Sequence, residues 1–86
     1  MTVIELQLFG AFRDAAPSPC INVVVDGGDI AALRAAVQSH AQAHWPPGLR
    51  ALVARSAFAN ESTLLRDADL LPDDARVALL PPVSGG

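Results

Sequence analysis

His40 and His44 are spaced four apart. On a helix this spacing puts two imidazoles on one face, which is half of a metal site. A catalytic zinc takes at least three protein ligands, and the same segment supplies no acid or cysteine to be the third. No metal centre is therefore expected, and a histidine near a helix end suits the negative pole of the dipole. Cys20 opens an apolar segment with no histidine or basic neighbour in sequence, the setting of an inert thiol rather than a nucleophile. Asp67, Asp69, Asp73 and Asp74 fall among turn-forming residues and read as turn acids, because aspartate bonds its own local backbone. Gly27-Gly28 is too short for a phosphate loop, and Asp29 after it would repel an anion. No Ser-His-Asp or Cys-His arrangement can be drawn from so few candidates.

The remaining chemistry lies at the end of the sequence, VALLPPVSGG. Pro81-Pro82 favours a stiff, extended path leaving a strand. Val83, Ser84, Gly85 and Gly86 follow with little bulk and with backbone freedom at both glycines. Six residues at about 3.3 Å each reach roughly 20 Å. Such a tail can thread a narrow channel, with residues 81–85 as the threaded segment. A last residue without Cβ lets a reagent approach its carbonyl closely. A frayed end is the alternative reading, against which the Pro-Pro pair stands.

Elements must position these groups. Residues 3–9 alternate Ile4, Leu6 and Leu8 against Glu5 and Gln7, the period of a strand. Gly10 interrupts it, and residues 13–19 read as a loop. Residues 21–25 are a β-branched second strand, closed by the turn Asp26-Gly27-Gly28. Asp29 is an N-cap for a helix over residues 30–44, with Ile30, Leu33, Val37, Ala41 and His44 on one face. Trp45-Pro46-Pro47-Gly48 ends it. A strand is expected within residues 51–59, a turn at Glu61-Ser62 and a short return strand at residues 63–65. Residues 67–74 read as a loop or a single helical turn, and residues 76–80 as the last strand. The order is α+β, with one main helix crossing one sheet. Strand parity gives Ile4, Leu6, Leu8, Val77 and Leu79 to the core face and leaves Phe9 and Leu80 on the other. An exposed apolar cluster near the base of the tail marks a binding surface.

Composition excludes several classes. The chain has 86 residues, enough for one small domain that buries about 60–65% of its unfolded surface. It is 51% hydrophobic and 17% charged, which excludes a disordered chain, yet its apolar runs are too short to span a bilayer. Six basic residues, all arginine and all scattered, against nine acids leave a net charge of −3, so no nucleic-acid partner is expected. A single cysteine and an N-terminal stretch without basic residues predict a cytoplasmic protein with no secretory leader. The absence of lysine means that no side-chain amine exists here for an isopeptide bond to form with.

PPVSGG after an apolar strand resembles the end of the small subunit of molybdopterin synthase, the MoaD-type sulfur carriers of the ubiquitin-like ThiS–MoaD superfamily. LFGAFRD at residues 8–14 is similar to that family's first strand and following loop, with an arginine where Arg13 stands. DIAALRAAV resembles its helix start, and FANES at residues 58–62 resembles a segment with an asparagine at Asn60. LLPDDARVALLPP departs from the family stretch L-x-D-G-D-E-V-A: Asp74 replaces a turn glycine, and Ala75 and Arg76 replace two acids.

The resemblance implies a β-grasp domain over residues 1–80, a mixed sheet of four to five strands crossed by one main helix, with residues 81–86 as its tail. It implies that a separate MoeB-type adenylating enzyme uses ATP to activate the Gly86 carboxylate, which then becomes a thiocarboxylate. It also implies that this group donates sulfur to the precursor pterin in the pocket of a MoaE-type large subunit, within an assembly of two small and two large subunits. The carrier itself then holds no permanent cofactor and works with no membrane. Phe9, Leu80, Arg13 and Leu64, the last by the resemblance alone, are its expected partner contacts. Three alternatives stay open: a thiocarboxylate carrier of thiamine or cysteine type, a ubiquitin-like protein modifier, and an interaction module without tail chemistry.

Overall fold

Ile4, Leu6 and Leu8 are buried to within 1% while Gln7 between Leu6 and Leu8 is exposed, so the alternation does place one face of strand β1 (Thr2–Leu8) in the core. The computed structural model describes residues 1–16 and 18–82. Strand β2 (Cys20–Val25) returns antiparallel to β1, from Thr2 opposite Val25 to Gln7 opposite Cys20. Between them a helix, α1 (Ala11–Ala15), occupies some of the segment expected to be a loop, and Arg13 lies on it. One helical turn has little intrinsic stability. Phe12 supplies the reason: it is fully buried and meets the Trp45 ring at 5.4 Å.

Helix α2 (Ile30–His44) has the predicted bounds. The Asp29 carboxylate accepts the Ala32 amide at 2.9 Å, the expected N-cap. Two further first-turn amides are taken by a distant loop: Ile30 N–H donates to the Asp69 carbonyl and Ala31 N–H to the Asp67 carbonyl. Ile30, Leu33, Val37 and Ala41 are fully buried on the sheet-facing stripe. His44, expected on that stripe, is exposed. The chain leaves the helical path at Trp45 (φ −111°, ψ 153°), and the indole, rather than the imidazole, closes this end of the core.

The apolar stretch after it divides. Residues expected to begin a strand instead form helix α3 (Pro47–Val53), and the strand β3 (Ala57–Ala59) is confined to three residues. Pro47 at the first helical turn loses no hydrogen bond. Leu49 and Val53, four apart, are both buried while Ala51 between them is exposed, a pattern that a strand's alternation could not give. Strand β4 (Leu64–Leu65) pairs antiparallel with β3 across a turn in which the Asn60 carboxamide accepts the Ser62 and Thr63 amides, both at 2.8 Å. The following loop runs to β5 (Arg76–Leu80), which has the predicted bounds.

The five strands form one sheet in the order β2-β1-β5-β3-β4. The β1–β5 pair is parallel and the others antiparallel. Helix α2 covers one face, giving the mixed sheet with one main helix that the sequence implies.

Arg34 ties the irregular segments to this frame. Its Nη1 donates to the Val53 and Ser56 carbonyls, both at 2.9 Å, and its Nη2 to Asp67 Oδ1 at 2.9 Å. The guanidinium also stands 4.9 Å from the Phe58 ring centroid. One side chain therefore fastens α2, the turn from α3 to β3 and the loop from β4 to β5.

Ala75, just before β5, has φ 59°. The Ala75 carbonyl accepts the Glu5 amide at 2.8 Å, at the point where β5 meets β1. The left-handed conformation costs an L-residue about 1–2 kcal/mol. Ala75→Gly is accordingly expected to raise the unfolding free energy by about 1 kcal/mol, after the loss of a methyl and added unfolded-state entropy. Urea denaturation of both proteins checks this; an unchanged or lower midpoint contradicts it.

Candidate functional site

Parity places Leu80 on the sheet face opposite α2, and the register shows what surrounds it. Ala57 pairs with Leu80, Ala59 with Ala78, and Ala78 with Gln7. Continuing the parallel register one step past Leu8–Leu79 brings Phe9 beside Leu80. Phe9 is 43% exposed, while Ala78 and Leu80 are half-buried. A shallow depression of about 230 Å³ lies here, lined by Gln7, Phe9, Ala59, Asn60, Arg76 and Ala78 among others. Arg76 at its edge pairs with Glu5 at 3.4 Å, both well exposed, so the pair adds little stability.

The expected contact residues are not all equally close. Leu64, 63% exposed, pairs with Ala59 on β4, three strands from β1 and so about 14 Å across the sheet from it. It extends the apolar strip of Ala59 and Ala78 toward the far edge. Arg13 is exposed on α1 and lines, with Phe9, Pro19 and Cys20, a smaller depression of about 180 Å³ on the β2 side. Phe9 therefore stands between two groups, Leu80 and the strip on one side and Arg13 on the other.

Gly10 fixes where residue 81 leaves the sheet, a role that sequence reading passes over beyond its interruption of β1. It has φ 58° and ψ −132°, and a Cβ there would lie 2.8 Å from Pro81 Cγ. Pro81 is thus seated directly on the Gly10 backbone, and the end of β5 is fixed against the end of β1. The sequence signal is a glycine that closes a strand without the usual turn partners around it. Pro81 and Pro82 are half-buried. Val83, Ser84, Gly85 and Gly86 lie outside the described residues, so the threading tail and the Gly86 carboxylate stand on the sequence alone.

Cys20 is a free, half-buried thiol on edge strand β2. Asp74 accepts the Arg76 amide and Asp69 the Arg66 amide, both as turn residues, while Asp67 is the partner of Arg34. Gly27 faces Ala32 so closely that a Cβ would lie 2.6 Å from it, and the Ile30, Ala31 and Ala32 amides of the first helical turn are already bonded. Among the described residues no group of three or more histidine, cysteine or acidic side chains converges as a metal site. The His40 and His44 rings lie 4.6 Å apart, and burial, with the neighbouring His44 second, holds the His40 pKa below the ordinary histidine value. No helix among the described residues is long and apolar enough to cross a membrane.

No family profile matches this sequence, and no curated protein sequence does. Among solved structures the chain is similar to SAMP1 from Haloferax volcanii, with 21% identity, a TM-score of 0.66, and coverage of 99% of this chain and 100% of that one. The likeness shows the fold, a ubiquitin-like β-grasp.

The contact at Gly10 yields a stability test. Gly10→Ala should lower the unfolding free energy by about 1–2 kcal/mol through its positive φ, with displacement of Pro81 besides. Gly28→Ala, where a Cβ meets nothing within 4 Å, is the control and should change little. Thermal melts give the first quantity. Chemical shifts of Pro81 and Pro82, moved in the first variant only, give the second.

Proposed function

We propose that this β-grasp chain is a sulfur carrier of the MoaD type, the small subunit of a molybdopterin synthase. The observation that carries the reading is PPVSGG attached to the end of a central strand, with Pro81 held on Gly10 beside Phe9 and Leu80. A tail so anchored starts from a fixed point at the rim of an apolar face, which is what delivery into a partner's pocket requires.

The chemistry follows from the carboxylate. Sulfide does not displace hydroxide from it, because hydroxide is a poor leaving group. Reaction of the Gly86 carboxylate with ATP gives an acyl-adenylate and pyrophosphate, and sulfide then displaces AMP to leave a thiocarboxylate. Two easier steps replace one hard one. The carrier needs no general base of its own: the adenylating enzyme and the large subunit supply the pockets. Pro-Pro ahead of Val-Ser-Gly-Gly favours the molybdopterin type over carriers for thiamine or cysteine.

The likeness to SAMP1, a small archaeal modifier, favours a second reading, a ubiquitin-like protein modifier. It shares the activation step and differs in the acceptor, an amine on a target rather than a sulfur compound. This chain offers no lysine as an acceptor on itself.

Incubation with ATP, a sulfide source and a MoeB-type enzyme, followed by intact mass, separates the two. Exchange of one oxygen for sulfur at Gly86 supports the carrier, and covalent conjugates with other proteins support the modifier. A chain that gains neither from its cognate enzyme is an interaction module.

Two outcomes are expected with the large subunit. Deleting Gly86, or extending the chain one residue beyond it, should abolish single-turnover sulfur transfer and leave the melting curve unmoved. Removing a residue withdraws the reacting carbon by about 3.5 Å, the whole of a near-attack distance. Extension converts the carboxylate to an amide. Cys20→Ser should transfer normally, since the sulfur rides on Gly86. Separately, Phe9→Ala and Leu80→Ala should each weaken binding to the large subunit by about 2 kcal/mol, read by calorimetry on folded protein. Unchanged affinity in both variants removes the open face as the interface.

A further inference from the structure

We propose that His40 and His44 form a two-histidine site for Cu²⁺, at the C-terminal end of α2. The two imidazoles are one turn apart on the helix, with ring centroids 4.6 Å apart and planes tilted by 40°. This separation brings both rings within reach of one metal. A metal–nitrogen bond of about 2.0–2.1 Å puts the metal about 3.2 Å from the centroid of the ring that binds it. Two rings on one metal at a right angle then have centroids about 4.5 Å apart, whereas a tetrahedral angle spreads them to about 5.2 Å. The observed 4.6 Å is compatible with adjacent positions in a square or tetragonal sphere, a geometry that Cu²⁺ takes. Cu²⁺ also heads the affinity order for nitrogen donors among these divalent cations.

The surroundings suit a cation with open coordination positions. His44 is exposed and His40 half-buried, so both are reached from solvent. Among the described residues neither imidazole is held in a hydrogen bond to protein. A depression of about 310 Å³ opens beside them, lined by Ala15, Ala16, Ile21 and Trp45, with room for the waters that would complete the sphere. His44 also stands in the last turn of α2, where the helix dipole favours positive charge.

Trp45 reports binding directly. It is the single tryptophan of the chain, and its ring lies edge-on to His40 at 5.4 Å. Cu²⁺ titrated into the full chain should quench Trp45 fluorescence saturably at one equivalent. His44→Gln, at an exposed position, should keep the melting curve and weaken the apparent affinity at least ~10-fold through loss of one of two ligands. His40→Gln should do the same. The titration is run in parallel on Cys20→Ser, so that thiol oxidation does not enter, and should give the same midpoint as the parent. Electron paramagnetic resonance of the one-equivalent complex should show two coupled nitrogens in the parent and fewer in His44→Gln. Quenching that never saturates, or a midpoint unchanged in His44→Gln, overturns the site. So does a midpoint for Zn²⁺ at or below that for Cu²⁺, which would remove Cu²⁺ as the metal of the site.

Discussion

The parallel pairing of β1 with β5 is the constraint on which the rest of the molecule depends. Four register pairs, from Glu5–Arg76 to Leu8–Leu79, join the first strand to the last at the middle of the sheet. They place Ile4, Leu6 and Leu8 beside Val77 and Leu79 as one floor under α2, which no pairing of sequential neighbours would achieve. Parallel neighbours require a long crossover. Here the crossover is everything between, so β2, α2, α3, β3 and β4 are all carried on a connection whose two ends are the central strands. The same pairing brings Gly10 and Pro81 together and so decides where the tail begins.

Polar groups then fix what apolar burial leaves loose. The loop between β4 and β5 has only one isolated β-bridge, Asp29 with Leu70, yet it is tied down at several points. Its Asp67 and Asp69 carbonyls satisfy the first amides of α2, and the Asp67 side chain holds Arg34. Arg34 is mostly buried and bonds two backbone carbonyls and a carboxylate at once, a fork that an ammonium could not reproduce. Ser56, also buried, is satisfied by the Leu52 carbonyl at 2.6 Å. No buried side-chain nitrogen or oxygen among the described residues lacks a partner, so the small core has no polar defect to offset.

What was legible in the sequence was whatever local chemistry decides. The alternation of β1 and β5, the Asp29 cap, the apolar stripe of α2 and the turn after Asn60 all follow from neighbours a few residues away. What escaped was decided across the fold. Helix α1 is a single turn held by Phe12 against Trp45, and nothing within its own five residues requires it. The stretch after Gly48 is apolar in a way that suits strand or helix, and only the exposure of Ala51 between buried Leu49 and Val53 distinguishes them. His44 and Trp45 exchange roles because the helix ends between them. The Gly10–Pro81 contact joins residues near opposite ends of the chain. The reverse holds for Gly86, whose assignment belongs to the terminal motif alone, and for the open face, where parity placed Phe9 and Leu80 correctly but register was needed to set Leu64 on the far side of the alanine strip.

The direction of β1 relative to β5 also governs how the domain bears load. Because the two strands run the same way, the start of β1 and the end of β5 lie at opposite ends of their shared ladder. Tension between the N-terminus and the tail therefore acts along the strands, and the hydrogen bonds between them must slide together rather than break in succession. An antiparallel pair at this position would open like a zipper under the same pull. A pull between the two ends of the chain thereby loads the domain in its most resistant direction, and the central pair that organises the core is also what keeps it from unravelling under traction.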